Sequence, residues 1–216
     1  MVKAVIFDLD GTLLDTLPDL NACMNEMLKF YGFPQISLAQ TRLNVGHGGK
    51  KFVELSLPED KRTLTDECYA YYRKVHIAWK NEKTKMFKGE REFLLKLKEC
   101  GVKTAIVTNK AHASTLKLCE TILKDFKFDA VLGVTDKYPV KPNPESTLAI
   151  IKELGVDAKD CVFVGDGETD FQTATNANIK CVSVLWGYRT KEELMGVGAN
   201  VFAETYKQLE EIIFAK

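Results

Sequence analysis

The feature that most constrains this chain is a short apolar run that ends in two carboxylates. Residues 5–7 are Val, Ile and Phe, as expected for a strand buried on both faces, and Asp8 and Asp10 follow at once. Two acids at the exit of a buried strand are destabilising unless a nearby charge compensates them. A bound divalent cation would do so. We therefore expect the later sequence to supply another carboxylate, a basic side chain and phosphate-sized hydrogen-bond donors.

The hydrophobic pattern divides the rest of the chain into two parts. Residues 17–82 have apolar side chains at helical spacing and no convincing strand, which predicts a small, separate, all-helical domain inserted after the first strand. Residues 1–16 and 83–216 alternate strand and helix patterns, which predicts an α/β core with a parallel sheet covered by helices on both faces. In such a sheet, ligands bind beyond the carboxyl ends of the strands.

Polar side chains follow three predicted strands and precede one predicted helix. Thr108 and Asn109 follow the strand at 103–107, Asp166 and Asp170 follow the strand at 161–164, and Lys141 precedes the helix at 144–154. Each of these could by itself be a turn, a helix cap or a surface side chain. Four such coincidences at one edge of one sheet are improbable together. The sequence therefore predicts one site at this edge.

The composition indicates which classes of partner and which cellular location to expect. Among 216 residues, 30 are Lys or Arg and 30 are Asp or Glu, so the formal net charge gives no reason to expect nucleic acid or an anionic membrane as a partner. No apolar run approaches the roughly 20 residues that span a bilayer, and no signal-peptide pattern is visible. The six cysteines are scattered without a C-x-x-C pair. These features predict reduced thiols and a cytoplasmic location.

The polar segments, taken together, resemble the four motifs of the haloacid dehalogenase superfamily of phosphohydrolases, in the same order. They are Asp8-x-Asp10-Gly11-Thr12-Leu13-x-Asp15-Thr16, Thr108-Asn109-Lys110, Lys141-Pro142-x-Pro144 and Gly165-Asp166-x-x-x-Asp170. This resemblance implies a Rossmann-like core. The helical insert is similar to the cap domain of the phosphoglycolate phosphatase and beta-phosphoglucomutase subgroup.

The resemblance implies roles for the acidic side chains. Asp8 would be the nucleophile and form an aspartyl-phosphate, while Asp10 would act as general acid and then as general base. Mg²⁺ would be held by Asp8, the backbone carbonyl of Asp10, and Asp166. Asp170 would be a second acid at the metal, which either ligates it through water or orients Lys141.

The resemblance also implies how the phosphoryl group is bound. Thr108 and the backbone amide of Asn109 would bind the phosphoryl oxygens, and Lys141 would balance their charge in the transition state. Thr12 is expected to be part of the phosphate site and to fix the orientation of Asp10.

The segment at 46–51, Gly-His-Gly-Gly-Lys-Lys, is the part of the helical domain most suggestive of substrate contact. Its glycines would let the backbone approach a ligand, and Lys50 or Arg42 could meet a substrate carboxylate. His47 could touch the leaving group. An interhelical turn with solvated lysines is the ordinary alternative.

Other candidate side chains carry less weight. His76 and His112 are expected to be structural or on the surface. The segment Trp186-Gly187-Tyr188-Arg189 resembles a Trp/Tyr-Gly-Tyr segment of phosphoglycolate phosphatases.

The sequence therefore predicts a Mg²⁺-dependent phosphatase of small phosphorylated metabolites, acting on phosphoglycolate, as a monomer or homodimer. Pyrophosphate or a sugar phosphate could instead be the substrate, and a phosphosugar mutase would share the chemistry of Asp8 and Asp10. A receiver domain of signalling proteins also combines a strand-end Asp, a Thr and a Lys around Mg²⁺. It is shorter, however, and lacks a helical insert after its first strand.

Overall fold

The structure is a computed structural model that describes residues 1–215. The described part of the chain has eight strands in two sheets. They are β1 (Ala4–Phe7), β2 (Leu14–Asp15), β3 (Lys85–Met86), β4 (Lys103–Ala111), β5 (Ala130–Val134), β6 (Cys161–Gly165), β7 (Lys180–Val184) and β8 (Phe202–Ala203).

Ten α-helices within residues 1–215 connect or cover these strands. They are α1 (Leu17–Phe30), α2 (Leu38–Asn44), α3 (Gly49–Ser56), α4 (Thr65–Ala78), α5 (Glu90–Glu99), α6 (His112–Thr121), α7 (Glu145–Leu154), α8 (Glu168–Asn176), α9 (Lys191–Gly196) and α10 (Tyr206–Phe214). Short 3₁₀ helices lie at Glu59–Leu64 and Ala158–Asp160. No helix within residues 1–215 is long and apolar enough to cross a membrane.

The larger sheet has six parallel strands in the order β5-β4-β1-β6-β7-β8. The chain builds outward from β1 in one direction through β4 and β5, and then in the other through β6, β7 and β8. Strand β1 therefore lies at the point where the strand order reverses, which is where ligands bind in open α/β sheets. The predicted α/β fold with a parallel sheet is confirmed.

Strand β1 is buried on both faces because its side chains alternate between two apolar clusters. Val5 and Phe7 pack into a cluster with α5 and α10, and Ala4 and Ile6 pack into one with α7. All four side chains are fully buried. Because both faces of the strand are buried, its sequence is a continuous apolar run with no polar face.

The segment between β2 and β3 contains helices and has its own apolar cluster, with Met24, Met27 and Phe52 in its centre. Strands β2 and β3 pair antiparallel where the chain leaves and re-enters the core. Tyr188, which follows β7, packs into the same cluster. The helical character of the insert is as expected, and its bounds at 17 and 82 stay a prediction.

The structure differs from the sequence-based expectation in three places. The strand predicted at 103–107 extends to Ala111, so Thr108, Asn109 and Lys110 lie within β4. The pairing of β2 with β3 and the helix α9 have no counterpart in the prediction. Two-residue strands and a six-residue helix are too short to give a recognisable periodicity of apolar residues.

Glu90, the first residue of α5, is fully buried beside the end of β3. Its Oε2 accepts a 3.2 Å hydrogen bond from the Phe87 amide, and its Oε1 has no hydrogen-bond partner within the described residues. Burial raises the pKa of Glu90 to about 9, against the opposing effect of the Phe87 hydrogen bond. The native protein therefore holds this carboxyl protonated at neutral pH.

We expect Glu90→Gln to change how stability depends on pH. Between about pH 4.5 and 9, unfolding lets Glu90 ionise, so the native state binds more protons and wild-type stability falls as pH rises. In the wild type, the free energy of unfolding falls by up to about 1.4 kcal/mol per pH unit in this range, and the Gln variant should lack this fall. Urea unfolding at several pH values would measure the difference between the two proteins.

The test is how the difference in free energy of unfolding between the two proteins changes with pH. A poorly paired amide in the Gln variant would shift that difference by the same amount at every pH. Exposed Glu92 on the same helix offers a matched control, and Glu92→Gln should leave the slope at its wild-type value. Parallel wild-type and Glu90→Gln curves would contradict a protonated Glu90.

Candidate active site

The carboxyl ends of β1, β4 and β6 bring the predicted site residues together. Phe7, the last residue of β1, is paired with Ile106 of β4 and with Val164 of β6. The Asp8 amide continues the ladder by donating to the Val164 carbonyl at 2.9 Å. Register therefore places Asp8 between Thr108 and Asp166, as parallel strand ends require.

Three carboxylates converge at this edge. One oxygen from each of Asp8, Asp166 and Asp170 lies within 4.8 Å of the others. Asp166 and Asp170 are buried, and Asp8 is nearly so. Carboxylate oxygens in such a cluster are the donors that Mg²⁺ prefers.

Lys141 is the basic side chain inside the cluster. Its Nζ donates to Asp170 Oδ1 at 2.6 Å and lies 2.9 Å from Asp8 Oδ1, with 2% of its side chain exposed. The second oxygen of Asp170 accepts from the Gly167 amide at 2.9 Å. Asp170 therefore contacts Lys141 directly, as one of its two expected roles requires.

One ammonium does not balance three carboxylates. Burial raises the pKa of Asp166 to about 8, and the charges of Asp170 and Asp8 add to the shift. Burial also raises the pKa of Asp8, in spite of Lys141. Burial opposes the charged form of Lys141, yet Asp170 and Asp8 together raise its pKa.

The donor set fits a divalent cation. Asp8 Oδ1 is buried and, although close to Lys141, makes no hydrogen bond in acceptable geometry within residues 1–215. A bound cation would use this oxygen and would favour the ionised state of Asp166. Of the predicted ligands, Asp8, Asp166 and Asp170 thus meet in one place.

Glycines make room for Asp166. A Cβ on Gly11, whose φ is +84°, would lie 2.3 Å from Asp166 Oδ2. A Cβ on Gly187 would lie 2.3 Å from the Asp166 Cβ. The Tyr188 amide donates to Asp166 Oδ2 at 2.7 Å, and Thr12 Oγ1 donates to Oδ1 at 2.9 Å. The Trp-Gly-Tyr segment therefore holds a carboxylate of the site in place.

Asp10 turns its side chain away from the three carboxylates. Lys110 Nζ donates to its two oxygens at 3.0 and 3.1 Å, and Thr16 Oγ1 donates to Oδ1 at 2.6 Å. The expectation that Thr12 orients Asp10 is wrong, because Thr12 is fully buried and contacts Asp166 instead. The tight turn after Leu9 points Thr12 inward and returns the chain so that Thr16 meets Asp10.

Lys110 is the functional side chain that sequence reasoning missed. The sequence names it only as part of the Thr-Asn-Lys segment, yet its ammonium is buried against Asp10. A basic residue inside a strand end is a signal in itself, because Lys is seldom fully buried without a partner.

Thr108 and Asn109, which are predicted to bind phosphate, lie near the carboxyl end of β4 and line the pocket. Thr108 lines the pocket above Asp8. Asn109 Oδ1 accepts from the Lys141 amide at 2.7 Å, and its Nδ2 donates to the Gly46 carbonyl at 2.9 Å. Asn109 therefore joins β4 to the loop before α7 and to the helical domain.

A pocket of about 420 Å³ lies between the sheet edge and the helical domain. Its floor includes Asp8, Asp10 and Thr108, and its roof includes the segment at 46–51 and one side of α4. His47 and Lys50 line it as expected, but both are exposed and Lys50 is 2.5 Å from Asp66. His76, expected to be structural or superficial, also lines the pocket and lies 3.3 Å from Ser114 Oγ.

Two arginines join the helical domain to the core. Arg42 on α2 contacts Glu193 at 3.1 Å and the Tyr188 carbonyl. Arg189 is paired with Glu168 at 2.9 Å and donates to the carbonyls of Arg42 and Val45. The hypothesis that Arg42 meets a substrate carboxylate is wrong, since its charge is already paired and it lies outside the pocket lining.

Known proteins resemble this chain in sequence and in fold. The model of the family described as haloacid dehalogenase-like hydrolase matches residues 5–184. A phosphoglycolate phosphatase of Xanthomonas campestris pv. campestris is 32% identical over 210 residues, which are 97% of this chain and 95% of that protein. One from Pseudomonas savastanoi pv. phaseolicola is 34% identical over 191 residues, covering 86% and 70%.

A solved structure from Lactobacillus delbrueckii subsp. bulgaricus shares the fold over nearly the whole length. It is 30% identical, covers 99% of both chains and superposes with a TM-score of 0.92. The fold and the site define a hydrolase with a strand-end acid cluster. This chain belongs to the haloacid dehalogenase-like hydrolase family.

Proposed function

We propose that this enzyme is a Mg²⁺-dependent phosphohydrolase that cleaves small phosphomonoesters, with 2-phosphoglycolate as its substrate, through an aspartyl-phosphate on Asp8. It is a phosphoric monoester hydrolase. One observation carries the mechanism: two carboxylates only two residues apart have different partners. Asp8 faces the acid cluster and Lys141, whereas Asp10 faces Lys110 and Thr16.

In the first step, a carboxylate oxygen of Asp8 attacks phosphorus and the bond from phosphorus to the ester oxygen breaks. The ester oxygen leaves with a proton from Asp10, which becomes ionised. Lys141 balances charge at the phosphoryl oxygens, and Thr108 donates a hydrogen bond to one of them. Each of these side chains is within or beside the pocket floor.

In the second step, Asp10 accepts a proton from water as that water attacks phosphorus. The bond from phosphorus to Asp8 breaks, which releases inorganic phosphate and restores the carboxylate. Lys110 and Thr16, which both donate to Asp10, hold its carboxyl group in position for this transfer.

Mg²⁺ would be held by Asp8 and Asp166, with Asp170 beside them, and by the backbone carbonyl of Asp10. When bound, it neutralises phosphoryl charge that would otherwise repel an anionic nucleophile. The excess of buried carboxylates over ammonium groups supports this assignment.

The choice of substrate rests on the relatives and on the pocket. Relatives at 32–34% identity are named phosphoglycolate phosphatase. Basic side chains line the pocket, with Lys110 beside Asp10 and Arg73 on α4, and they suit an anionic substrate. A panel of phosphorylated metabolites that includes pyrophosphate and sugar phosphates tests this choice, and analysis of products for isomers separates a hydrolase from a mutase.

Removal of divalent metal is expected to abolish hydrolysis of p-nitrophenyl phosphate. EDTA should lower the rate at least about 100-fold, because charge neutralisation by a metal contributes several kcal/mol, and added Mg²⁺ should restore it. Full activity in EDTA after dialysis would exclude the metal mechanism. Circular dichroism before and after EDTA serves as the control for loss of fold.

A further inference from the structure

The reaction fixes where the leaving group lies. Asp8 attacks phosphorus and Asp10 protonates the ester oxygen, so the rest of the leaving group projects past Asp10. Helix α4 covers this region, since His76 on α4 contacts Ser114 of α6 at 3.3 Å. Burial, followed by the charge of Lys110, lowers the pKa of His76 to about 3. Lys110 in turn contacts Asp10.

One face of α4 forms the wall of this region. Tyr69, Tyr72, Arg73 and His76 have the spacing i, i+3, i+4 and i+7, which places them on the same side of the helix, and all four line the pocket. Tyr72 is stacked on His76 with ring centroids 5.4 Å apart. This face therefore contacts whatever leaving group the pocket holds.

Arg73 differs from the other basic side chains that line the pocket. Each of the others lies within 4.0 Å of a carboxylate, in the pairs Lys50–Asp66, Lys51–Glu54, Lys110–Asp10 and Arg189–Glu168. Within residues 1–215, no carboxylate lies that close to Arg73. The side chain is exposed, and its guanidinium lies over the ring of Tyr69, 5.8 Å from the centroid, on the face of α4 that lines the pocket.

We propose that Arg73 binds a second anionic group, a carboxylate or a second phosphoryl, on the leaving group of the substrate. The proposal rests on the proposed function, because that reaction places the leaving group under α4. A guanidinium suits the task, since it matches the two oxygens of a carboxylate or phosphate with parallel hydrogen bonds. The neutral state of His76 leaves Arg73 as the charge on this face of α4.

The test compares two esters of similar size that differ in charge. 2-Phosphoglycolate has a terminal carboxylate, and 2-hydroxyethyl phosphate has a hydroxyl in its place. Arg73→Ala should lower kcat/KM for 2-phosphoglycolate about 10- to 100-fold, as expected for loss of a hydrogen-bonded ion pair, and leave the neutral ester within about 2-fold. Pyrophosphate, in a third arm, distinguishes a second phosphoryl from a carboxylate. Arg73→Lys should restore part of the preference.

Lys74, the exposed neighbour on α4, lies outside the pocket lining, so Lys74→Ala is the matched control and should leave both esters unaffected. Equal losses on charged and neutral esters would assign Arg73 a structural role and overturn the proposal. An unchanged preference for charged esters would also overturn it.

Calorimetry separates this inference from the reaction mechanism. Both esters would be titrated into Asp8→Asn with and without Arg73→Ala, which measures binding without turnover. A wild-type enzyme that hydrolyses no phosphomonoester would refute the proposed function. Even in that case, tighter binding of the charged ester that depends on Arg73 would support the inference. Binding of both esters that is unchanged by Arg73→Ala would refute the inference and leave the proposed function standing.

Discussion

Asp8→Asn is expected to lower kcat by at least about 10⁴-fold, because the amide cannot form the acyl-phosphate on which both steps depend. Uncatalysed phosphate-monoester hydrolysis is slow enough that enzymes accelerate it by up to about 10²¹-fold, so no bypass through water alone would be visible. Steady-state release of inorganic phosphate measures the loss. Persistent turnover in this variant would refute the assignment of the nucleophile.

Asp10→Asn provides the contrast that isolates the nucleophile. It keeps the carboxylate of Asp8 but removes the side chain that takes a proton from water in the second step. With an activated ester whose leaving group needs no protonation, a phosphate adduct should accumulate and be visible by mass spectrometry of the intact protein. Asp8→Asn should show none. Thermal melts of both variants check that each is folded.

The sequence predicted the acid cluster because its geometry follows from topology. Parallel strands of one sheet end at the same edge, so Asp8, Thr108 and Asp166 could be placed at that edge from strand patterns alone. The strand order that sets them side by side, with β1 in the middle, comes from the structure. Lys141 was placed by the motif it shares with the family, since the loop before α7 has no period of its own.

Side chains positioned by non-local packing could not be placed in this way. Whether Arg42 faces ligand or protein depends on Glu193, which is 151 residues away. Whether Thr12 or Thr16 contacts Asp10 depends on the turn that follows Leu9, where backbone hydrogen bonds return to the Leu9 carbonyl. Tertiary structure decides which partner each of these side chains contacts, and local sequence patterns carry no information about it.

His76 shows the same difficulty for a helix. It lies four residues after buried Tyr72 on α4, which places it on the packed side of that helix. Two surfaces meet on that side, the interior of the helical domain and the pocket. Only the packing of α4 against α6 places His76 at the pocket.

Lys141→Met is expected to cost about 3–5 kcal/mol of stability in metal-free protein at mildly alkaline pH, because it leaves buried carboxylates without their cation. It should also lower kcat about 10²- to 10³-fold through lost charge balance at the phosphoryl oxygens. Urea unfolding and phosphate release measure the two effects. Exposed Lys152 on α7 allows the same substitution as a control with little effect on either.

The pH dependence of this loss separates charge from packing. Lys141, whose pKa is raised, stays charged from about pH 5 to 8, so any change across that range comes from Asp8 and Asp166, whose pKa values are also raised. Their protonation at low pH removes the repulsion, so the loss should shrink there and grow towards alkaline pH. Mg²⁺ should recover part of it by supplying positive charge to the same oxygens. A loss that is independent of both pH and Mg²⁺ would mean that Lys141 contributes through its contact with the Phe163 ring rather than by compensating the carboxylates.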